Sequence, residues 1–366
     1  MTPPPPQSSS FSARVSLASR VLRRRYLRRR RKFNGSAEQV CRQVVAACWN
    51  GTFFQTSLGH FSDFWTRDTG ICTAALMAAG DSDRIHQTWT WALERFARAG
   101  RITTTILRDG TAAELPAQSH DALPWTIRAL RTLNDRDLVN RYRPFLETIV
   151  KQFAEDVVET ATGIMRRALL GIRDAVRYRA SAYNITMLAM LSDDLDALGL
   201  TNPFRAVRYD RILVDRYWTG THFRADLFGD HFSSEANLFP FWCGVIDDRG
   251  MWERVVKTIR ELQLTNPFPI RYAPERRMFP VLWHAALFLP NYQGTTVWTW
   301  LGAIYLQLCR RFKTIVPEEE RAFQQMIVRF RTFPELLSPN GSWYRTLFYT
   351  ADDGMIWAAL ALTVIS

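Results

Sequence analysis

The chain has 366 residues, 47% hydrophobic and 13% aromatic, enough apolar material for a large core. Its formal net charge is +12, but residues 1–33 carry ten Lys or Arg and no acid, which leaves +2 on the remainder and speaks against nucleic-acid binding by the body of the protein. Its apolar runs, such as MIWAALALTVI, are shorter than the roughly 18 residues of a membrane span, and the cysteines at 41, 48, 72, 243 and 309 are odd in number and form no CxxC pair, which argues against a disulfide framework or a zinc site.

A reducing, cytoplasmic setting is the simplest expectation, with no metal and no cofactor. The opening MTPPPPQSSS is low in complexity, and RRRYLRRRRK reads as a solvated, basic run. Residues 1–33 are therefore expected to be a disordered basic extension, dispensable for catalysis. Their composition is also compatible with organellar targeting. Residues 34–366 are expected to form one domain.

From Ser36 onward the helical period dominates. Ser36 and Gln39 form a capping box ahead of Val40, Val44 and Cys48. Ser82 opens a helix whose stripe is Ile85, Trp89, Leu93 and Phe96, and Gly100 closes it. Similar signals predict helices near 36–50, 70–80, 82–99, 119–134, 139–161, 181–198, 203–218, 235–247, 249–263, 293–312, 317–332 and 350–365. The first of each pair is charged, as in ERVVKTIRELQ; the second is small and apolar, as in ICTAALMAAG. Alternation of polar-faced outer helices with inner helices apolar nearly all round predicts an all-α, double-layered (α/α)6 toroid of twelve helices.

Each predicted inner helix follows a segment rich in aromatic, carboxylate and amide side chains: FWTRDTG, SHDALPW, RASAYN, GDHFSSEAN, NYQGTTVW and FYTADDG. Markers Asp68, Asp121, Tyr183, Glu235, Gln293 and Asp352 recur at steps of 53, 62, 52, 58 and 59 residues, one helical hairpin each. Inner helices that run the same way bring these segments to one mouth. Trp65, Trp125, Trp298 and Tyr183 would supply faces for sugar rings, and Arg67, Asp68, Asp121, Asn184 and Gln293 directed hydrogen bonds. The bland alternative makes the tryptophans core wedges and the charged residues helix caps. His231 and Glu235 stand one turn apart, but no third metal ligand is apparent. The SDDLD run at 192–196 reads as a solvated face.

FWTRDTGI resembles the WGRDT signature of the glucosidase domain of glycogen debranching enzymes. SHDALPW, YNITMLAML, NYQGTTVWTWLGAIYL and FPELLSPNG follow in the order found in the six-hairpin glycosidases, which include trehalases, plant neutral invertases and processing α-glucosidases. The resemblance covers most of residues 50–366. It implies hydrolysis of a glycosidic bond by two carboxyl groups. Asp174, in GIRDAVRYR, takes the place of the general acid, with Ile172 where the family usually has Trp; Glu335, in FPELLSPNG, takes that of the general base. Asp68, Asp121, Asp226, Asp230 and Glu235 are competing acids. The expected substrate is an α-glucoside or short α-glucan. A phosphorylase on the same scaffold and a noncatalytic glycan-binding protein are the alternatives, and oligomeric state is left open.

Overall fold

The computed structural model describes residues 8–27, 30–174, 176–276 and 287–365, with residues 8–11 and 230 as backbone only. Thirteen helices are found among them. Helix α1 is Ser8–Tyr26. Then come six pairs, each an outer helix followed by an inner one: α2 Ala37–Cys48 and α3 Thr66–Ala78; α4 Ser82–Ala99 and α5 Ala122–Leu133; α6 Arg136–Gln152 and α7 Ala182–Ala197; α8 Tyr209–Tyr217 and α9 Ser234–Trp242; α10 Arg249–Glu261 and α11 Thr299–Arg311; α12 Pro317–Phe330 and α13 Ala358–Ile365.

The inner helices close a ring: α3 packs on α5, α5 on α7, α7 on α9, α9 on α11, α11 on α13, and α13 returns to α3. Their composition drives this. In α7 every residue from Ala182 to Ser192 is buried, whereas α4 buries only one side, with Ile85, Trp89, Leu93 and Phe96 at its centre. The capping box of Ser36 and Gln39 is present, and Gly100 ends α4 in the left-handed conformation at φ 65°. Gly70 lets α3 and α5 approach closely, since a Cβ there would lie 2.7 Å from Cβ of Trp125.

The largest departures from expectation lie at helix ends. α6 stops at Gln152, passes through one π turn at Phe153–Val157, and gives way to a hairpin of Val158–Glu159 with Ile164–Met165. Residues 293–298 and 350–357 precede their inner helices instead of belonging to them.

The expected disordered extension is corrected for most of its length. Residues 1–7, 28 and 29 lie outside the described residues, but α1 docks on the barrel. Its Ala13 is buried with Trp65, Ala113 and Leu115, and its Arg20 and Arg24 pair with Asp63 and Asp353. The acids missing from the basic run are supplied by distant segments, so local composition concealed them. The SDDLD reading holds for Asp193 and Asp196, which are exposed, and is corrected for Asp194. Asp194 is fully buried and clamps α5 to α7, accepting from Arg128 Nε and Arg131 Nη1 at 2.6 Å each.

Candidate active site

A pocket partly open to solvent lies at the N-terminal ends of the inner helices. Its wall includes Thr56, Phe61, Trp65, Arg67, Asp68, Ile172, Asp174, Tyr292, Trp298, Trp300, Glu335 and Trp357. A smaller adjoining recess shares Trp65, Arg67, Asp68 and Asp174 and adds Thr104, Ser119 and Asp121.

Backbone pairing sets the wall. Strand β1, Phe64–Trp65, pairs antiparallel with β2, Thr105–Ile106, and fixes Trp65 at the start of α3. Val297–Trp298 pairs with Leu336–Leu337, Trp298 opposite Leu336, and this brings Glu335 to the lead-in of α11. The Asp174 loop is tied down at several points. His120 N–H donates to Leu170 O at 3.0 Å, Arg67 to Gly171 O at 2.6 Å, Gln293 Nε2 to Ile172 O at 3.1 Å, and Arg173 to Glu235 at 2.9 Å. Gly171 is required by close approach, because a Cβ there would fall 2.4 Å from His120 Nε2.

Arg67 donates to Asp174 Oδ1 at 2.9 Å and stands 3.6 Å from Asp121 Oδ2. Asp68 accepts from Trp357 Nε1 at 2.9 Å; burial raises its carboxyl to about 6, against the pull of Arg67. Asp121 accepts from Tyr183 OH at 3.0 Å and from Ser119. Neither Asp121, at the N-cap of α5, nor any side chain at the start of α3 makes a capping bond, so these polar groups are committed to one another and to the pocket.

Glu335 is 1% exposed. It accepts from Tyr292 OH, from Tyr349 OH at 2.8 and 2.7 Å, and from Asp352 N–H at 2.7 Å. Burial pushes its carboxyl up to about 8, with the phenols and the amide pulling the other way. Burial also raises Asp174, opposed by Arg67, though 30% of its side chain stays exposed. Among the pocket's indoles, Trp298 donates to Tyr292 O at 3.0 Å and Trp357 to Asp68. Nε1 of Trp65, Nε1 of Trp300 and Oγ1 of Thr56 are buried without a protein partner.

Of the residues singled out in the sequence, Trp65, Arg67, Asp68, Asp121, Asp174, Trp298 and Glu335 meet at this pocket and its recess. The remaining four do not reach the wall. Trp125 lines a separate cavity with Met190, Trp242 and Gln307, and its Nε1 donates to Tyr183 OH at 2.9 Å. Tyr183 in turn supports Asp121, and Asn184 is fully buried against Ser181 Oγ at 2.6 Å. Gln293 is a tether for Ile172. Among the competing acids, Glu235 is neutralised by Arg173 within the core, and Asp226 accepts from Phe228 N–H at 2.9 Å in a β-hairpin; the side chain of Asp230 lies outside the described residues. Tyr292, Trp300, Tyr349 and Trp357 were missed, although three of them stand beside or within the quoted motifs NYQGTTVWTW and FYTADDG.

No family model matches the chain, and no curated protein matches it in sequence. Solved structures do match. A GH63 mannosylglycerate hydrolase from Thermus thermophilus in complex with glucose has 12% identity and a TM-score of 0.59, covering 90% of this chain and 99% of its own. A glycosidase variant in complex with glucose has 12% identity and a TM-score of 0.65, covering 90% and 95%. A rhamnosidase from Klebsiella oxytoca with rhamnose bound has 11% identity and a TM-score of 0.59, covering 91% of this chain and 65% of its own. The chain has the (α/α)6 toroid fold of these glycosidases.

Proposed function

We propose that the chain is a glycoside hydrolase that cleaves an α-glucoside or short α-glucan with inversion, Asp174 acting as general acid and Glu335 as general base. The observation that carries this reading is the composition of one wall. Two carboxyls, Asp174 and Glu335, share a pocket with Trp65, Trp298, Trp300 and Trp357, and two of those indoles keep unpartnered N–H groups. Indole faces suit the apolar faces of a sugar ring, and free donors suit its hydroxyls. Glucose bound to neighbours of the same fold supports the sugar class.

In this mechanism protonated Asp174 gives its proton to the glycosidic oxygen as that oxygen leaves the anomeric carbon. Glu335 takes a proton from water, whose oxygen bonds the opposite face of the same carbon. Tyr292, Tyr349 and the Asp352 amide orient Glu335, and Arg67 orients Asp174.

A second reading reverses the roles, and the electrostatics favour it. A carboxyl raised to about 8 holds its proton at neutral pH, as an acid must, while at Asp174 the Arg67 guanidinium works against the burial that raises it. One experiment separates the readings. A panel of glycosides is scored for sugar released by the wild type, Asp174→Asn and Glu335→Gln, with good and poor leaving groups. Sparing of good leaving groups in Asp174→Asn assigns the acid to Asp174; sparing in Glu335→Gln reverses the roles. Turnover that requires added phosphate assigns a phosphorylase, and sugar binding with no release by the wild type overturns hydrolysis.

A further inference from the structure

The basic run near the N-terminus is the sequence feature that sugar hydrolysis leaves unused. Helix α1 sets Arg20 and Arg24 one turn apart on the barrel. Arg20 pairs with Asp63 just ahead of β1. Arg24 is 7% exposed, donates to Asp353, and stands 3.9 Å from Asp352. The carboxylates of Asp352 and Asp353 are fully buried.

Asp352 is the direct support of Glu335. Its N–H donates to the Glu335 carboxylate at 2.7 Å, and its carbonyl accepts the Glu335 N–H at 3.0 Å. The Asp352 carboxylate accepts from Phe61 N–H at 2.9 Å and lies 3.6 Å from His60 Nδ1. His60 Nε2 is 3.1 Å from the Tyr349 hydroxyl, which is bonded to Glu335. Burial lowers His60 to about 4, so its ring is neutral and offsets none of the negative charge.

Two adjacent buried carboxyls beside a third are costly to ionise together unless a cation accompanies them. We propose that Arg24 is a positioning residue of the site, whose charge holds the Asp352–Asp353 pair against Glu335 and so governs how readily Glu335 releases its proton. The inference rests on Glu335 being one of the two reacting carboxyls. Other groups face Glu335 as well. Tyr292 approaches ahead of α11, and Tyr344 and Tyr349 after residue 337. Asp174 lies on the wall of the same cavity, and Arg30 stands beside Asp353. Among these, Arg24 is the cation in direct contact with the acidic pair that carries the Glu335 backbone.

The sign follows from charge. Loss of Arg24 removes the cation paired directly with these carboxyls, leaving Asp353 the Arg31 N–H at 2.8 Å and the nearby Arg30; it disfavours ionised Glu335 and raises the pH at which it titrates. Loss of the Asp353 charge with Arg24 intact lowers it.

The test uses the full chain labelled with carboxyl-¹³C glutamate, and the Glu335 resonance is assigned by its absence from Glu335→Gln. Arg24→Met is expected to move the Glu335 titration up by about one unit, the lower end of the effect of losing an opposite charge in the neighbourhood. Asp353→Asn is expected to move it down, and Arg24→Met/Asp353→Asn to return it close to wild type. Should Arg24→Met not fold, Asp353→Asn carries the test by itself. A Glu335 titration unmoved in folded Arg24→Met or in Asp353→Asn overturns the role of Arg24. The underlying reading is tested apart from this by sugar release. Glu335→Gln that keeps full turnover sinks the catalytic reading, whereas an unmoved titration with Glu335→Gln inactive sinks only Arg24.

Discussion

The Tyr349 hydroxyl stands 2.8 Å from one carboxylate oxygen of Glu335 and 2.7 Å from the other, with His60 Nε2 3.1 Å away on its far side. A phenol has one proton to give, so this contact can favour ionised Glu335 or pass the hydrogen bond on to His60. A reaction that needs one carboxyl protonated and one ionised depends on the product of two fractions. The limb of its profile at higher pH is then set by the group that keeps its proton longer, whichever role that group plays. Burial gives that place to Glu335, at about 8. The alkaline limb of kcat/KM is therefore expected near pH 8. Tyr349→Phe removes a donor to the charged form, so the limb should move upward. A limb that stays put in folded Tyr349→Phe would remove Tyr349 from control of this carboxyl.

The unpartnered indole N–H groups of Trp65 and Trp300 separate binding from stability. Replacing a buried donor that has no partner costs no protein hydrogen bond. Trp300→Phe loses no protein hydrogen bond but does lose packing against Phe239 and Trp357, so Tm should fall modestly while sugar binding weakens by about tenfold, roughly one hydrogen bond. Calorimetric titration with glucose, beside a thermal melt, reads both. A lowered Tm with unchanged binding would make Trp300 a packing residue.

Asp68 is held by the Trp357 indole, and the N-terminus of α3 has no side-chain cap. Asp68→Asn keeps an acceptor for that N–H, so stability should stay within about 1 kcal/mol of wild type, the scale of one neutral hydrogen bond. Turnover should fall steeply, because the anion beside Arg67 is gone. A large loss of stability with full activity per folded molecule would make Asp68 structural.

Asp194 gives the opposite pattern. It is fully buried between Arg128 and Arg131 at the far end of α7, away from the pocket. Asp194→Ala should destabilise by about 2 to 3 kcal/mol, less than the 3 to 5 of a fully buried pair because both arginines are partly exposed. Activity per folded molecule should not change. Chemical denaturation and active-site-normalised rates check the two halves.

The toroid was legible because its cause is local. Whether a helix is apolar on one side or nearly all round can be read from ERVVKTIRELQ and YNITMLAML, and six such pairs leave few other arrangements. The end of the barrel where the candidate pocket opens was legible for the same reason. Side-chain direction was not. Tyr183 and Asn184 follow the same kind of lead-in as Asp68, yet they point among helices and support the wall from behind. The partners of Glu335 were hidden because Tyr292, Tyr349 and Asp352 arrive from different segments through a strand pairing only two residues long. The N-terminal arginines were misread because the acids that hold them lie 43 and 329 positions further along the chain.

The most direct measurement is the configuration of the sugar first released from an α-linked substrate, followed by proton NMR before mutarotation. Attack by water on the face opposite the leaving oxygen gives the β-anomer, and this is the result expected for the wild type, with Glu335→Gln releasing sugar far more slowly. An α-anomer formed first would contradict inversion between Asp174 and Glu335.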